Sequence, residues 1–461
     1  MIQNDTIVAL STANAVSAIA VIRISGNETA DIIKKIFKKN KRTDNSALFD
    51  FKPRYAYYGN IGINDEITDD AVMTLYKKPG SYTGEDMAEI SCHGNMIIVK
   101  KIIRMIIDNG ARTAEPGEFT KRAFINGRID LTQSEAVMDV ISAGGEQALA
   151  SARRQLEGHL GAKIRSYYQE LTDILSEIGY HSDFDEGSEY DIDIKAMTIK
   201  IEGIAFAVQK LIDTYDDGII LKNGLRCCIT GKPNVGKSTI MNALAKSERS
   251  IVTEAAGTTR DVVEDTIKIG ETVINMADTA GIRENSTDKA EKIGIERSIN
   301  RLNESDIIIA VFDGSDEFDK MDKNIVELIK SAKTEKKKTV IAVLNKSDLK
   351  SRINLPHNSN VFDEIVSANK TDVGELKAAI EKHAESVCCD GDIITNERHL
   401  QCLTEAYDEL ANVKEALCSS LPIDMAYTDI RAAAVSFASI TGDDVNESIV
   451  DKIFANFCTG K

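Results

Sequence analysis

Eight residues, Gly231-Lys232-Pro233-Asn234-Val235-Gly236-Lys237-Ser238, constrain this 461-residue chain more than any other feature. They fit the pattern G-x-x-x-x-G-K-[ST]. The apolar run Leu225 to Thr230 precedes them, and a helical stretch, Thr239 to Leu244, follows. A strand that turns through such a loop into a helix can wrap its backbone round a phosphate. The glycines leave room, and the backbone N–H groups point inward. Lys237 would then neutralise β- and γ-phosphate oxygens, and Ser238 would ligate Mg2+. A Gly-rich turn could carry this pattern by chance, so the rest of the chain must decide.

Three further segments do so. Asp278-Thr279-Ala280-Gly281 ends a second apolar run. Asp278 is expected to hold Mg2+ through water, and the Gly281 N–H to touch the γ-phosphate as part of a switch. Asn345-Lys346-Ser347-Asp348 ends a third run. A carboxylate at Asp348 can accept from both guanine N1–H and the 2-amino group. Adenine lacks that donor pair and would leave the carboxylate stranded. Ser367-Ala368 follows the next run and could present a backbone N–H to guanine O6. Between the first two motifs, Gly257-Thr258-Thr259-Arg260-Asp261 supplies Thr259 as a second Mg2+ ligand. Four motifs in order, each at a strand end, predict a guanine-nucleotide pocket. Its expected lining is Asn234, Val235, Gly236, Lys237, Ser238 and Thr239; Gly257, Thr258 and Thr259; Asp278, Thr279, Ala280 and Gly281; Asn345, Lys346 and Asp348; and Ser367, Ala368 and Asn369. One position carries mechanism. Small regulatory switches place a water-orienting Gln after the Asp-Thr-Ala-Gly motif. Here Ile282 stands there, and Arg283, Glu284 and Glu291 are the polar groups in the next turns.

Around this core the texture changes three times. Residues 1–120 mix short β-like runs (Ala18 to Ile24, Ala71 to Tyr76, Ala88 to Ser91) with a helical stretch, Ile97 to Ile107, an α+β texture. Residues 121–221 read as helical. Leu149, Ala152, Leu156, Leu160, Ile164, Tyr167, Leu171, Ile174 and Ile178 make one stripe on a long helix. After the acidic stretch Asp183 to Asp193, a second helix carries Val208, Leu211, Ile212 and Tyr215 on one face. Residues 222–380 alternate apolar runs, including Ile307 to Phe312, Thr339 to Leu344 and Val361 to Val366, with helical segments. That alternation predicts a mostly parallel sheet with helices on both faces. Residues 381–461 return to helix, with Leu400, Leu403, Tyr407, Leu410, Val413 and Leu417 in a stripe. The simplest organisation is a helical domain into which the α/β domain is inserted.

Charge and cysteine bound the setting. The chain carries 56 basic and 73 acidic residues, a net charge of −17, which argues against non-specific coating of nucleic acid. The densest basic run, Lys333 to Lys338, reads as a solvated helix end. The eight cysteines form no CxxC pair, and with six histidines show no zinc-type spacing. Unpaired cysteines in a large chain predict a reducing, cytoplasmic setting. Asp5 sits where a signal peptide would be basic, and no apolar run approaches a membrane span.

The motifs taken together resemble the tRNA-modification GTPase family usually called MnmE or TrmE. Outside the nucleotide core the resemblance rests on Tyr82-Thr83-Gly84-Glu85-Asp86, Pro116-Gly117-Glu118-Phe119, Arg122-Ala123-Phe124, Asp130-Leu131-Thr132-Gln133 and the last five residues, Phe457-Cys458-Thr459-Gly460-Lys461. It implies an N-terminal tetrahydrofolate-binding-like domain that also forms a homodimer, a helical domain, and an inserted Ras-like P-loop GTPase domain. It implies work on tRNA with a flavin-dependent MnmG-like partner, adding an aminomethyl or carboxymethylaminomethyl group at C5 of the wobble uridine. By motif matching, Arg23, Glu89, Arg128 and Lys461 would hold 5-formyl- or methylene-tetrahydrofolate, and Cys458 would reach the reaction region. Asn234, Thr253, Ala255 and Thr258 would ligate K+, and Thr253, Glu254, Ala255 and Ala256 would line the nucleotide pocket in the same loop. Glu291 would orient the attacking water, filling the vacancy left by Ile282. Four positions depart from the family pattern: Thr12 to Ser17 lacks glycine, Glu115 precedes Pro116-Gly117, Asn95 follows His93-Gly94, and Thr459 replaces an apolar residue.

Two other readings stay in play. A ribosome-assembly GTPase shares the core motifs but usually appends a basic RNA-binding module, which this acidic chain does not suggest. A folate-dependent one-carbon transferase with merely regulatory GTP would keep its modification activity after loss of Lys237.

Overall fold

The computed structural model describes residues 5–39, 51–63, 66–183, 193–247, 265–270, 272–278, 299–335, 338–355, 361–385, 391–419, 423–455 and 457–460. Two compact units emerge: one from segments 1–138, 155–200 and 409–461, the other from 139–154 and 201–408.

The first unit is built on seven strands: β1 Ile7–Leu10, β2 Ser17–Ser25, β3 Phe37–Lys39, β4 Ala56–Ile63, β5 Glu66–Tyr76, β6 Met87–Gly94 and β7 Arg112–Thr113. Their order is β3-β4-β5-β6-β2-β1-β7. Period-two alternation sorts the side chains. Ala20, Ile22 and Ile24 of β2 join Ala88, Ile90 and Cys92 of β6 in one core. The helices Thr29–Ile36 and Met96–Asp108 cover that face through Ile32, Ile33, Ile36, Val99, Ile102 and Ile106. Arg23 and Glu89 are register partners on the opposite face. There a small cluster of Ile7, Ala9, Ala114 and Phe119 forms, with Tyr82 against it.

The expected long helix from Leu149 to Ile178 is in fact two, Glu146–Leu156 and His159–Asp183. Gly158 breaks it with φ +89, a left-handed conformation that glycine adopts without strain. Beyond the break, Leu160, Ile164, Leu171, Ile174 and Ile178 are buried as the stripe required. The helix Ile423–Thr441 packs along this face, with the Tyr167 and Phe437 ring centroids 5.9 Å apart. The second expected helix is also divided. Ile194–Ile212 carries buried Val208 and Leu211, whereas Tyr215 begins a separate helix, Tyr215–Asn223.

The second unit holds six strands: β8 Leu225–Thr230, β9 Asp265–Ile269, β10 Thr272–Asp278, β11 Ile307–Asp313, β12 Thr339–Asn345 and β13 Glu364–Ser367. The order is β13-β12-β11-β8-β10-β9, parallel throughout except for the antiparallel edge strand β9. The run from Val361 contributes a strand only from Glu364. In β11, Ile307, Ile309 and Val311 enter one core with Ile240, Leu244, Leu376 and Ile380. Ile308, Ala310 and Phe312 enter the other with Leu302, Val326 and Ile329. Helices therefore cover both faces, and the strands read as continuous apolar runs because neither face meets water. Among the described residues, no helix is long and apolar enough to cross a membrane.

Candidate functional site

β8 lies between β10 and β11, so the strand order reverses at its C-terminal end. In an open α/β sheet that reversal leaves a crevice beyond the strand ends, where ligands bind. The loop 231–236 occupies it, and the helix Lys237–Ser247 leaves from it. The turn depends on unusual backbone. Gly231 has φ +154, and a Cβ there would collide with the Val311 carbonyl; Gly236 has φ +96, and a Cβ there would strike the Asn345 amide. Asn234 also takes a left-handed φ of +65, which asparagine tolerates better than most residues, and it is exposed. Lys237 is buried. Its ammonium donates to the Gly231 carbonyl at 2.7 Å and the Lys232 carbonyl at 2.9 Å. Ser238 is exposed at the helix start, while the Thr239 and Ile240 amides bond the Gly236 carbonyl at 3.0 Å. Loop amides and a helix N-terminus beside a buried ammonium suit an anionic ligand.

The segments expected to read the base meet at the same sheet edge. Asn345, at the end of β12, donates its side-chain amide to the Val235 carbonyl at 2.7 Å. The Ser347 amide donates to the Ala368 carbonyl at 3.1 Å, joining this motif to the end of β13. Lys346 adopts φ +62, and its ammonium pairs with Asp313 at the end of β11. Burial pushes the Asp313 carboxyl up, but bonds from Lys346 and Ser315 outweigh it and hold the group below the usual carboxylate value. Asp348 is exposed in the turn closed by the Leu349 amide on the Lys346 carbonyl.

Ser367, Ala368 and Asn369 have partners within the protein. The Ser367 amide donates to the Glu375 carboxylate at 2.7 Å and the Ala368 amide to the Leu344 carbonyl at 3.0 Å. In this conformation both amides expected to serve guanine O6 are already used within the protein. Asn369 spends its side-chain oxygen on the amides of Thr371 and Asp372, both at 2.9 Å, so it braces the loop. Thr253, Glu254, Ala255, Ala256, Gly257, Thr258, Thr259, Thr279, Ala280, Gly281, Glu291 and Lys461 lie outside the described residues. Asp278 ends β10 beside Ile229 of β8, so backbone register brings it to the same edge as Ser238. Ser238 and Asp278 are oxygen donors of the hard-ligand type that Mg2+ takes. An exposed Asn234 amide is an oxygen donor suited to K+ in the same way.

Sequence reasoning missed Lys232. Its ammonium meets Asp319 Oδ2 at 3.0 Å, Asp322 Oδ2 at 3.2 Å and Asp316 Oδ2 at 3.5 Å. Burial disfavours its charge, yet the bonds to Asp319 and Asp322 raise its pKa above the ordinary lysine value. The motif treats this position as free, so no pattern could have flagged it. The run Lys333 to Lys338 also differs from a solvated helix end. Lys333 pairs with Asp363, and buried Lys338 donates to the carbonyls of Leu302, Asn303 and Ser305 at 2.6, 2.5 and 3.0 Å.

The N-terminal unit gathers a second set. Arg23 donates through Nη2 and Nε to Glu89 Oε1 at 2.8 and 3.1 Å. Its guanidinium lies 5.1 Å from the Tyr82 ring centroid and 5.7 Å from that of Phe119. Nη1 is buried without a hydrogen-bond partner. Arg128 is exposed, and its side chain passes over Gly84, two residues from Tyr82. The chain end docks onto this region. Thr459 bridges Pro116, the Gly117 amide donates to the Cys458 carbonyl at 3.3 Å, and Ser11 Oγ donates to the Gly460 carbonyl at 3.1 Å. Gly460 abuts Leu10, whose neighbour Ala9 is the register partner of Arg23. Phe457 is buried against Phe454, and Cys458 is exposed.

Comparison with known proteins matches two family profiles. One described as "MnmE helical domain" spans residues 131–458, and one described as "GTP-binding protein TrmE N-terminus" spans residues 6–128. A protein of Alkaliphilus oremlandii (strain OhILAs) named "tRNA modification GTPase MnmE" is 39% identical over 468 residues, covering 99% of each chain. Proteins with the same name from Alkaliphilus metalliredigens (strain QYMF) and Clostridioides difficile (strain 630) are 40% and 38% identical, each match covering 100% of both chains.

Proposed function

This chain belongs to the MnmE family of tRNA modification GTPases, and from that premise we propose a K+-dependent GTPase subunit that modifies C5 of the wobble uridine. As a member it is a GTP hydrolase acting in tRNA modification. The finer reading takes a homodimer, an MnmG-like flavoprotein partner and a folate one-carbon donor.

In the nucleotide site, Lys237 neutralises charge on the β- and γ-phosphates, and Ser238 and Thr259 hold Mg2+. Asn234, Thr253, Ala255 and Thr258 hold K+, which offsets negative charge developing between those phosphates. Glu291 orients the attacking water, because the Ile282 side chain has no atom that can. Asp348 selects guanine. In the N-terminal unit, Arg23, Glu89, Arg128 and Lys461 hold the folate, which supplies the one-carbon unit. The buried, unpartnered Arg23 Nη1 fits a group with an acceptor to offer. Cys458 acts near that group.

The observation that carries the nucleotide reading is the Asn345–Val235 hydrogen bond at 2.7 Å, which makes the base-reading and phosphate-binding motifs one structure. The test is nucleoside mass spectrometry of bulk tRNA from cells lacking the protein, with phosphate release measured in KCl and NaCl. Loss of C5-aminomethyl-type uridines, restored by wild type but not by Cys458→Ser or Lys237→Met, with faster hydrolysis in KCl, supports the proposal. An unchanged nucleoside profile would turn attention to ribosome assembly. Modification that survives Lys237→Met would make GTP merely regulatory.

A further inference from the structure

The loop motif says nothing of Lys232, yet this side chain is fixed at both ends. Its ammonium lies among three carboxylates at 3.0 to 3.5 Å, and the side chain is only 11% exposed. Two of those carboxylates are themselves locked. Asp319 Oδ1 accepts from the Asp322 amide at 3.0 Å, and Asp322 Oδ2 accepts from the Asp319 amide at 3.1 Å. This reciprocal pair lies at the N-terminus of the helix Lys320–Glu335, as in a capping box. Meanwhile the backbone carbonyl of Lys232 receives the Lys237 ammonium, as does that of Gly231.

Three carboxylates around one ammonium over-neutralise it, so Lys232 is not a second cation for a phosphate. Its consequence is mechanical. Lys237 reaches out on a flexible four-carbon stem and needs fixed acceptors to hold one direction. Those acceptors are the carbonyls of Gly231, whose backbone is intrinsically permissive, and of Lys232. Asn345 holds the far side of the loop through Val235; the near side has the Lys232 anchor.

We propose that Lys232 is a positioning residue: tethered to Asp319 and Asp322, it fixes the two carbonyls that aim Lys237 at the β- and γ-phosphates of GTP. This rests on the nucleotide reading above. A lone Lys232→Met would strand buried Asp322 and could unfold the unit, so the informative variant is Lys232→Met/Asp322→Asn, which removes both charges.

The experiment uses the full-length protein and measures affinity for fluorescent GTP and GDP analogues, single-turnover hydrolysis and the thermal midpoint. In the double variant the midpoint should return close to wild type, with GTP affinity still about tenfold weaker and GDP affinity changed about two- to threefold, since GDP lacks the γ-phosphate. Lys232→Arg should restore GTP affinity. Adding Lys237→Met should cause no loss beyond that of Lys237→Met, because the anchor acts through that lysine. Losses that multiply, or GTP affinity that recovers with the midpoint, overturn the proposal. Lys237→Met with normal GTP affinity would instead overturn the nucleotide reading on which the proposal rests.

Discussion

Asn345 and Val235 are 110 residues apart in sequence, and the side-chain amide of one donates to the carbonyl of the other at 2.7 Å. The bond is buried, so breaking it strands the carbonyl away from water. It joins the motif proposed to read the base to the loop proposed to hold the phosphates. Both halves of the nucleotide feel its loss, whichever phosphate is terminal. Asn345→Ala is therefore expected to weaken GTP and GDP alike, by about tenfold each. Equilibrium titration with fluorescent nucleotides checks this. A loss confined to GTP would show that the bond serves the γ-phosphate alone.

Asp348 yields a specificity test. In the proposed site its carboxylate accepts from two guanine donors, whereas an amide there would offer one donor and one acceptor. Xanthine replaces the 2-amino group with a carbonyl, which accepts. Asp348→Asn should bind GTP at least about a hundredfold more weakly and gain xanthosine triphosphate, since a mismatched buried polar pair is costly. Competition against a fluorescent nucleotide measures both. Retained guanine preference would remove Asp348 from the base site.

Much of the second unit was readable because its strands are buried on both faces and therefore stand out as apolar runs between motifs. The two-sided cores around Ile307 to Phe312 follow from that pattern. What escaped was tertiary. Gly158 breaks the long helix at a residue that the apolar stripe simply steps over. Lys338 looked like part of a solvated run and is buried on three carbonyls. Lys232 carries no motif signal because its partners lie more than 80 residues away. The Arg23–Glu89 pairing needed strand register, which composition cannot supply.

The docked chain end makes the role proposed for Cys458 separable from GTP hydrolysis. Gly460 has φ +110, and a side chain there would collide with the Leu10 carbonyl. Gly460→Val should therefore displace residues 457–460, and Cys458 with them. Uridine modification should fall at least about tenfold while GTP turnover stays within about twofold of wild type, as for loss of a positioned group rather than of the fold. Complementation with nucleoside analysis, paired with phosphate release, decides. Normal modification would mean that the docking of the tail is dispensable.

Arg122 anchors the N-terminal unit electrostatically. It bonds Asp5 at 2.7 Å, Glu118 at 2.9 Å and Glu85 at 3.2 Å, while Arg112 bonds Glu118 at 2.6 Å and also Asp5. Burial pushes the Asp5 and Glu118 carboxyls up, and the bonds from the two arginines reverse this, leaving both below their ordinary values. The folded state therefore releases these protons more readily than the unfolded chain does. Their stabilisation is fully present above the ordinary carboxylate range and is lost as pH falls through that range and below it. Arg122→Met leaves Glu118, which is 9% exposed, without one of its two cations. The expected cost near neutral pH is about 3 kcal/mol, at the low end for a buried pair because Asp5 is a third exposed and screened by water. The gap between variant and wild type should narrow below about pH 4, as protonation removes the charges Arg122 balances. Urea unfolding of both proteins across that range measures the gap. A difference independent of pH would mean that Arg122 stabilises through packing of its stem rather than through its charge.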